Sequence, residues 1–278
     1  MVLATLPSSE RPIGVFDSGV GGLTVLRALA AALPHEQYLY LGDTARLPYG
    51  TKSPGTVVRY ALQCADELVE RGIKCLVIAC NTASAAALPA IRDRHPELPV
   101  VGVVEPGAEA ACAVSRGGRI AVLATEGTVR GGAYQQAIAR RRPEARVTAV
   151  ACSLFVALAE EGWTDGAVAE AAAQRYLAAL CADPATAPDS LVLGCTHFPV
   201  LRAVIARVAG SEVAIVDSAE TTAQATAAGL ATRGLVRVGG GAAEFRFLGT
   251  DSAERFARVG SRFLGREIRA DEVELVDL

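Results

Sequence analysis

Two cysteines occupy matching positions at the ends of apolar segments. Cys80 ends the apolar run of "LVIACNTASA", and Cys195 ends the similar run of "LVLGCTHFP". Open α/β sheets bind ligands at the carboxyl ends of their parallel strands, which is where these thiols are expected to lie. Each cysteine precedes a predicted helix, whose N-terminus lowers the pKa of a thiol below its ordinary value of about 8.5. We therefore predict that Cys80 and Cys195 act together on one ligand.

The other cysteines are expected to lie in the hydrophobic core and to take no part in catalysis. Free cysteine is among the most frequently buried residue types, so a single cysteine is more often structural than catalytic. The residues assigned to the core are Cys64, Cys75, Cys112, Cys152 and Cys181. Among the histidines, His197 stands apart from His35 and His95 because it lies two residues beyond Cys195, where it can hold a proton or orient the thiol.

Two thiols on opposite sides of a ligand suit proton transfer at a carbon acid. Enantiomers differ in which face of the carbon carries hydrogen, so one group must remove a proton from one face while another donates to the opposite face. A thiolate and a thiol can share this work and exchange roles with the direction of reaction. Neighbouring carboxylate and imidazole groups would tune each thiol.

Two loops between predicted strands and helices could hold such a ligand. "DSGVGG", residues 17–22, offers backbone N–H groups to an anion, although it matches neither the dinucleotide fingerprint nor the P-loop. Taken alone, it is an ordinary turn in which Asp17 caps the next helix. "GDTARLPYGTKSP", residues 42–54, is longer than a minimal connection, and its Pro48, Tyr49 and Gly50 could form a pocket wall or an exposed loop.

The elements that must position these residues alternate between strand and helix. Apolar runs such as "IGVFD" and "CLVIAC" are followed by helical patterns such as "LTVLRALAAAL", which predicts parallel sheets with helices on both faces. The pattern then repeats in the same order, because residues 119–138 resemble residues 12–29 and "LVLGCTH" resembles "LVIACNT". We therefore predict two similar α/β domains with the active site in the cleft between them.

The carboxyl-terminal segment has no counterpart in the other half. After residue 218 come a helical stretch, the segments "VRVGGGAAEFRFLGTD" and "SAERFARVGSRFLG", and a last strand in "DEVELVDL". We expect this segment to pack on the first half. The amino-terminal domain would then be discontinuous, with residues 1–104 and 219–278, and residues 105–218 would form the second domain.

Composition limits the classes of protein that this chain can belong to. Its 278 residues are 51% hydrophobic and carry a net charge of −3, so we expect a globular protein with no nucleic-acid partner. No signal-peptide pattern or membrane-spanning run occurs, so a cytoplasmic location is expected. The spacing of cysteines and histidines matches no zinc site. Neither Lys52 nor Lys74 is well placed for a Schiff base with pyridoxal phosphate, so we predict that no cofactor is needed.

Six segments in this order resemble the glutamate racemases of the aspartate/glutamate racemase superfamily. They are "DSGVGGLTVLRAL", "YLGDTARLPYGTKS", "VIACNTASA", "GVVEPG", "LATEGTVRGGAY" and "LVLGCTHFPVL". The resemblance extends from about residue 13 to the carboxyl end and includes "FLGTDSAERFARVGSRFLG". It implies cofactor-independent interconversion of L- and D-glutamate, which supplies D-glutamate to peptidoglycan synthesis. We also expect a homodimer.

The resemblance implies roles for individual residues. Cys80 would deprotonate D-glutamate with support from Asp17, and Cys195 would deprotonate L-glutamate with support from His197. In "FVALAEEGW", Glu160 matches a further assisting glutamate of the family more closely than the next residue does. The expected substrate contacts are Asp17, Ser18, Pro48, Tyr49, Gly50, Asn81, Thr82, Thr125, Thr196 and His197.

Other functions are compatible with parts of this pattern. A racemase of another amino acid, such as aspartate, would use the same thiols. A thiol hydrolase would use Cys195 and His197 but would leave Cys80 without a role. A binding protein, for instance one that inhibits gyrase, would need neither thiol, and the sequence carries no basic patch that favours this role.

Overall fold

The computed structural model describes residues 7–278, so residues 1–6 of the predicted amino-terminal domain lie outside the described residues. The strands are β1 (Ile13–Asp17), β2 (Gln37–Gly42), β3 (Cys75–Ile78), β4 (Val100–Gly102), β5 (Arg119–Ala124), β6 (Arg146–Ala151), β7 (Ser190–Gly194), β8 (Ala214–Asp217), β9 (Glu244–Gly249) and β10 (Val273–Leu275). The helices are α1 (Leu23–Ala32), α2 (Pro54–Glu70), α3 (Asn81–Arg94), α4 (Val104–Val114), α5 (Glu126–Gly131), α6 (Ala133–Arg141), α7 (Ser153–Glu161), α8 (Gly166–Leu177), α9 (Arg202–Ala209), α10 (Ser218–Thr232) and α11 (Ala253–Leu264).

Four strands of the first sheet have the same order as the four strands of the second sheet. The first sheet has the order β10-β9-β2-β1-β3-β4, and the second has the order β6-β5-β7-β8. All pairings in both sheets are parallel. The segment β2-β1-β3-β4 therefore corresponds strand by strand to β6-β5-β7-β8, which confirms the prediction of two similar α/β halves.

The central strands are apolar because helices cover both faces of each sheet. Every residue of β1, β3 and β7 is buried. A parallel strand that is buried on both faces has a continuous apolar sequence instead of an alternating one. This explains why the runs that end at Cys80 and Cys195 contain no polar residue before the end of the strand.

Polar residues that follow the strands begin the next helices. Ser53 caps α2 by accepting a hydrogen bond from the Thr56 N–H, and Pro54 occupies the first turn, where its missing N–H costs nothing. Asp217 caps α10 by accepting from the Ala219 N–H at 2.8 Å. Asp217 is also the last residue of β8, so this cap lies at the carboxyl edge of the second sheet.

The carboxyl-terminal segment packs on the first sheet. β9 pairs with β2, β10 pairs with β9, and α10 packs against α1. Helix α11 buries Phe256, Val259 and Phe263 on its inner face. The predicted domain limits, after residues 104 and 218, fall at the first residues of α4 and α10, and they stay a prediction.

No helix of residues 7–278 is long and apolar enough to cross a membrane.

Candidate active site

A cavity of about 310 Å³ lies at the carboxyl ends of strands from both sheets. Segments that follow β1, β3, β5 and β7 line it, so both halves of the molecule contribute. Of the predicted site residues, those on its wall are Ser18, Pro48, Tyr49, Gly50, Cys80, Asn81, Thr82, Thr125, Glu160, Cys195, Thr196 and His197. The two thiols therefore share one cavity.

Cys80 lies between the end of β3 and the first turn of α3. Its thiol donates a hydrogen bond to Ser18 Oγ at 3.3 Å, and its sulfur accepts from the Ala83 N–H at 3.4 Å. Only 5% of the residue is exposed. The loop after β1 thus contributes the hydroxyl group that contacts the first thiol.

The prediction that a helix N-terminus lowers the pKa of both thiols is wrong for Cys80. Burial, together with the negative charge of Asp17, raises the pKa of this thiol to about 12, despite the hydrogen bonds with Ser18 and Ala83. The free-energy cost of burying a thiolate exceeds the stabilisation that one N–H group and the helix dipole provide. Cys80 is therefore a neutral thiol near pH 7.

Cys195 has a different set of neighbours. Its Sγ lies 3.8 Å from His197 Nδ1, and His197 Nε2 lies 3.2 Å from Glu160 Oε1. The second oxygen of Glu160 accepts a hydrogen bond from Arg255 at 2.8 Å. A chain of polar contacts thus extends from the second thiol through an imidazole and a carboxylate to helix α11.

The charges in this chain favour a protonated imidazole. Burial by itself would lower the pKa of His197, but the hydrogen bonds with Cys195 and Glu160 outweigh burial and raise the pKa to about 10. The hydrogen bond with His197 in turn holds the pKa of Glu160 below its usual range. Near pH 7, His197 is therefore an imidazolium next to Cys195, and Glu160 is a carboxylate on the other side of the imidazole ring.

Asp17 is close to the cavity but does not line it. The residue is 1% exposed, and its Oδ2 accepts a hydrogen bond from the Gly19 N–H at 3.1 Å. Burial raises the pKa of Asp17, although the charge of His197 opposes this effect. Its carboxyl group thus supports the loop that carries Ser18.

Hydroxyl and amide groups from both halves meet on another wall. Thr82 Oγ1 lies 3.0 Å from Thr125 Oγ1 and 3.2 Å from Thr128 Oγ1. The Tyr134 hydroxyl of α6 donates to Asn81 Oδ1 of α3 at 2.7 Å. These contacts link the start of α3 in the first half to α5 and α6 in the second half.

The loop that carries Pro48, Tyr49 and Gly50 is anchored from behind by a buried carboxylate. Tyr49 donates its hydroxyl hydrogen to Asp43 Oδ2. Asp43, which is fully buried, also accepts from Arg46 Nε at 2.8 Å and from the Thr250 hydroxyl at 3.0 Å. These hydrogen bonds therefore fix the loop in place as a wall of the cavity. Tyr49 is buried, which excludes the alternative of an exposed loop for this residue.

Some residues that shape the site were absent from the sequence-based prediction. Asp43, Thr128, Tyr134 and Arg255 contact predicted site residues directly. All except Thr128 reach the site through a single side chain, and Tyr134 and Arg255 lie within segments that carry the family resemblance. Their pairing with Asn81 and Glu160 spans 53 and 95 positions, so no local spacing could reveal it.

Within residues 7–278, no group of three or more histidine, cysteine, aspartate or glutamate side chains could hold a metal ion. The described site therefore offers thiols, an imidazole, carboxyl groups and hydroxyl groups as its reactive side chains.

Curated relatives match nearly the whole chain. The glutamate racemase of Geobacter metallireducens is 53% identical over 258 residues, which cover 93% of this chain and 94% of the relative. The glutamate racemase of Neisseria meningitidis is 46% identical over 269 residues, which cover 97% of each chain.

Solved structures of glutamate racemases also resemble this chain over nearly its whole length. Glutamate racemase from Francisella tularensis, crystallised in complex with D-glutamate, superposes with a TM-score of 0.88 at 34% identity, over 97% of this chain and 98% of that chain. The Thermus thermophilus enzyme, in complex with β-chloro-D-alanine, superposes with a TM-score of 0.86 at 43% identity and the same coverage. The Asp/Glu/Hydantoin racemase family model matches residues 13–226. The chain therefore belongs to the Asp/Glu/Hydantoin racemase family and, within it, to the glutamate racemases.

Proposed function

We propose that this protein interconverts L- and D-glutamate by proton transfer between two thiols and the α-carbon. The observation that carries the proposal is the presence of Cys80 and Cys195, from corresponding strand ends of two similar sheets, on one cavity. A ligand bound between them would present its α-carbon to one thiol on each face. The Francisella tularensis relative binds D-glutamate, which supports the choice of substrate.

The different surroundings of the thiols support one starting state for the reaction of L-glutamate. Cys195, whose Sγ lies 3.8 Å from Nδ1 of the protonated His197 ring, would act as the base that removes the α-proton. Cys80, whose pKa is about 12, holds its proton and donates it to the opposite face of the carbanion. The product is D-glutamate, with a thiol at Cys195 and a thiolate at Cys80. The reverse reaction begins from that state, so the two directions use the thiols in opposite roles.

Polar groups on the cavity wall would hold the two carboxylates and the amino group. Ser18, Asn81, Thr82, Thr125 and Thr196 supply hydroxyl and amide groups around the thiols. Hydrogen bonds from neutral donors to a carboxylate are stronger than those between neutral groups. Such contacts would fix the α-carbon between Cys80 and Cys195, which is the geometric requirement for transfer from both faces.

We further propose that the reaction needs no cofactor and takes place in the cytoplasm. Lys74 is buried in an ion pair with Glu36 at 2.6 Å, and neither Lys52 nor Lys74 lines the cavity, so neither lysine is placed there to form a Schiff base with pyridoxal phosphate. All seven cysteines are free thiols, which fits a reducing compartment. The product would serve peptidoglycan synthesis. A homodimer and the absence of a nucleic-acid partner stay predictions.

The test measures racemisation and isotope exchange together. Wild-type protein in heavy water should interconvert the glutamate enantiomers, as followed by circular dichroism, and should incorporate deuterium at the α-carbon. Cys80→Ser and Cys195→Ser should each lower the rate by at least about a hundredfold, because each removes an acid/base group. Cys75→Ser, at the other end of β3, is the matched control and should remain active.

Two outcomes would contradict the proposal, and a growth experiment tests the role in the cell. A folded wild-type protein that does not racemise glutamate but racemises aspartate would contradict the substrate assignment. Full activity of Cys80→Ser would contradict the two-thiol mechanism. Growth of a bacterium that requires D-glutamate, restored by the wild-type gene and not by the Cys80→Ser gene, tests the proposed role in the cell.

A further inference from the structure

Asn81 presents an unpaired buried amide nitrogen beside Cys80. The residue lines the cavity, and only 2% of it is exposed. Its Nδ2 is buried and has no hydrogen-bond partner among the described residues. Buried polar atoms in folded proteins are nearly always paired, so an unpaired donor in a cavity residue indicates a ligand that supplies the acceptor.

The other end of the same amide is held by Tyr134. The Tyr134 hydroxyl donates to Asn81 Oδ1 at 2.7 Å, and no other partner of this hydroxyl occurs in residues 7–278. The ring is 1% exposed and packs closely against two backbone segments, since a Cβ at Gly107 or Gly194 would lie 3.2 Å or 3.1 Å from it. Burial raises the pKa of Tyr134, so the hydroxyl remains protonated and acts as a donor.

This hydrogen bond decides which end of the amide is available to a ligand. If the Asn81 amide were reversed, its oxygen would face the ligand, and the Tyr134 hydroxyl would lose the one acceptor that it has among the described residues. A carbonyl oxygen repels a carboxylate, whereas an amide N–H binds it. A protonated tyrosine that stays in place therefore favours the orientation that suits an acidic substrate.

We propose that Tyr134 is a positioning residue that orients Asn81 so that its Nδ2 donates a hydrogen bond to a carboxylate of glutamate. The proposal rests on the function proposed above. Tyr134 belongs to α6 of the second half, and Asn81 begins α3 of the first half. The amide of Asn81, next to Cys80 in the first half, is thus oriented by a residue of the second half, which also carries Cys195.

The first experiment measures affinity without turnover. D-Glutamate binding is determined by calorimetry in a Cys80→Ser/Cys195→Ser background. Tyr134→Phe should weaken binding by about tenfold, as expected for the loss of a well-oriented hydrogen bond to a charged group. Tyr38→Phe is the matched control, because its buried hydroxyl donates to the carbonyl groups of Leu29 and Leu33, away from the cavity. It should leave affinity unchanged.

A double-mutant cycle then separates positioning from a general effect on packing. Asn81→Ala should itself weaken binding, and Tyr134→Phe should have no further effect in the Asn81→Ala background. An unchanged affinity of Tyr134→Phe, or an equal loss with and without Asn81, would overturn the proposal. Either result can occur while the wild-type protein racemises glutamate, whereas absence of that activity in wild-type protein would overturn the proposed function.

Discussion

At the scale of single residues, the two thiols occupy equivalent positions but differ chemically. Cys80 contacts the hydroxyl of Ser18 and lies near the charge of Asp17, so its neutral form is favoured. Cys195 lies beside His197, which hydrogen bonds with Glu160. The proposed racemisation needs one acid and one base at a time, and two thiols in unequal surroundings would fill these roles without a change in the type of residue.

Gly21 is a position at which this arrangement can be tested. A Cβ at Gly21 would lie 2.5 Å from the His197 ring and 2.6 Å from Thr196 Oγ1. Gly21→Ala should therefore displace the ring from Cys195 and lower racemisation by about a hundredfold, the typical cost of a misplacement near 1 Å. Steady-state rates and the melting temperature should be measured together.

Gly55→Ala is the control for adding a methyl group, because a Cβ at Gly55 meets no atom within 4 Å. This variant should retain wild-type activity. A Gly21→Ala protein that folds and reacts at the wild-type rate would show that close approach of the loop to His197 does not set the position of the ring.

At the scale of helices and strands, the site is built where strands end and helices begin. Cys80, Thr125 and Cys195 follow β3, β5 and β7, and the first two also cap helices. Helix α11, which follows β9, also contacts the site near its start, through Arg255 in its first turn. The carboxyl-terminal segment, which has no counterpart in the second half, therefore contacts Glu160, a cavity residue of the second half.

Arg255 should contribute modestly to catalysis through Glu160. Arg255→Gln removes the charged contact with Glu160 Oε2 and leaves the contact with His197 in place. Because Arg255 is half exposed, the interaction is partly screened, so the turnover number should fall by about two- to fivefold.

Arg258→Gln is the matched control, since this exposed arginine is three residues further along α11. Turnover of both variants should be measured in each direction. L- and D-glutamate have equal free energies, so kcat/KM must fall by the same factor in both directions. A wild-type turnover number for Arg255→Gln would show that Glu160 holds its position without the Arg255 contact.

At the scale of the whole molecule, two sheets and a returning carboxyl-terminal segment form one site. Contacts such as Thr82 with Thr125, and Tyr134 with Asn81, link the halves across the cavity.

Away from the cavity, Glu36 holds the carboxyl-terminal segment, because its Oε1 accepts from the Arg237 N–H at 2.9 Å while Oε2 pairs with Lys74.

The Lys74–Glu36 ion pair should matter for stability rather than for catalysis. The side chains are 1% and 2% exposed, so Lys74→Met would leave a buried carboxylate without its partner. Breaking such a pair costs about 3–5 kcal/mol of the free energy of unfolding. Urea denaturation should show this loss, and Lys52→Met should change stability by less than about 0.5 kcal/mol.

The double variant Lys74→Met/Glu36→Gln should recover part of the loss. Glutamine carries no charge, yet its oxygen can still accept the Arg237 N–H. Wild-type stability of Lys74→Met would show that this carboxylate is paired or solvated in another way.

The sequence by itself determined the fold class, the family and most of the cavity wall. Continuous apolar runs predict buried parallel strands, and the residues that end them must lie at one edge of a sheet, so Cys80, Asn81, Cys195 and His197 could be named in advance. The tertiary structure decided what depends on burial and on distant contacts. Burial keeps Cys80 protonated, and Asp17 lies behind the wall. Folding also brings Tyr134 and Arg255 to the site across 53 and 95 positions, because packing of whole elements sets these contacts.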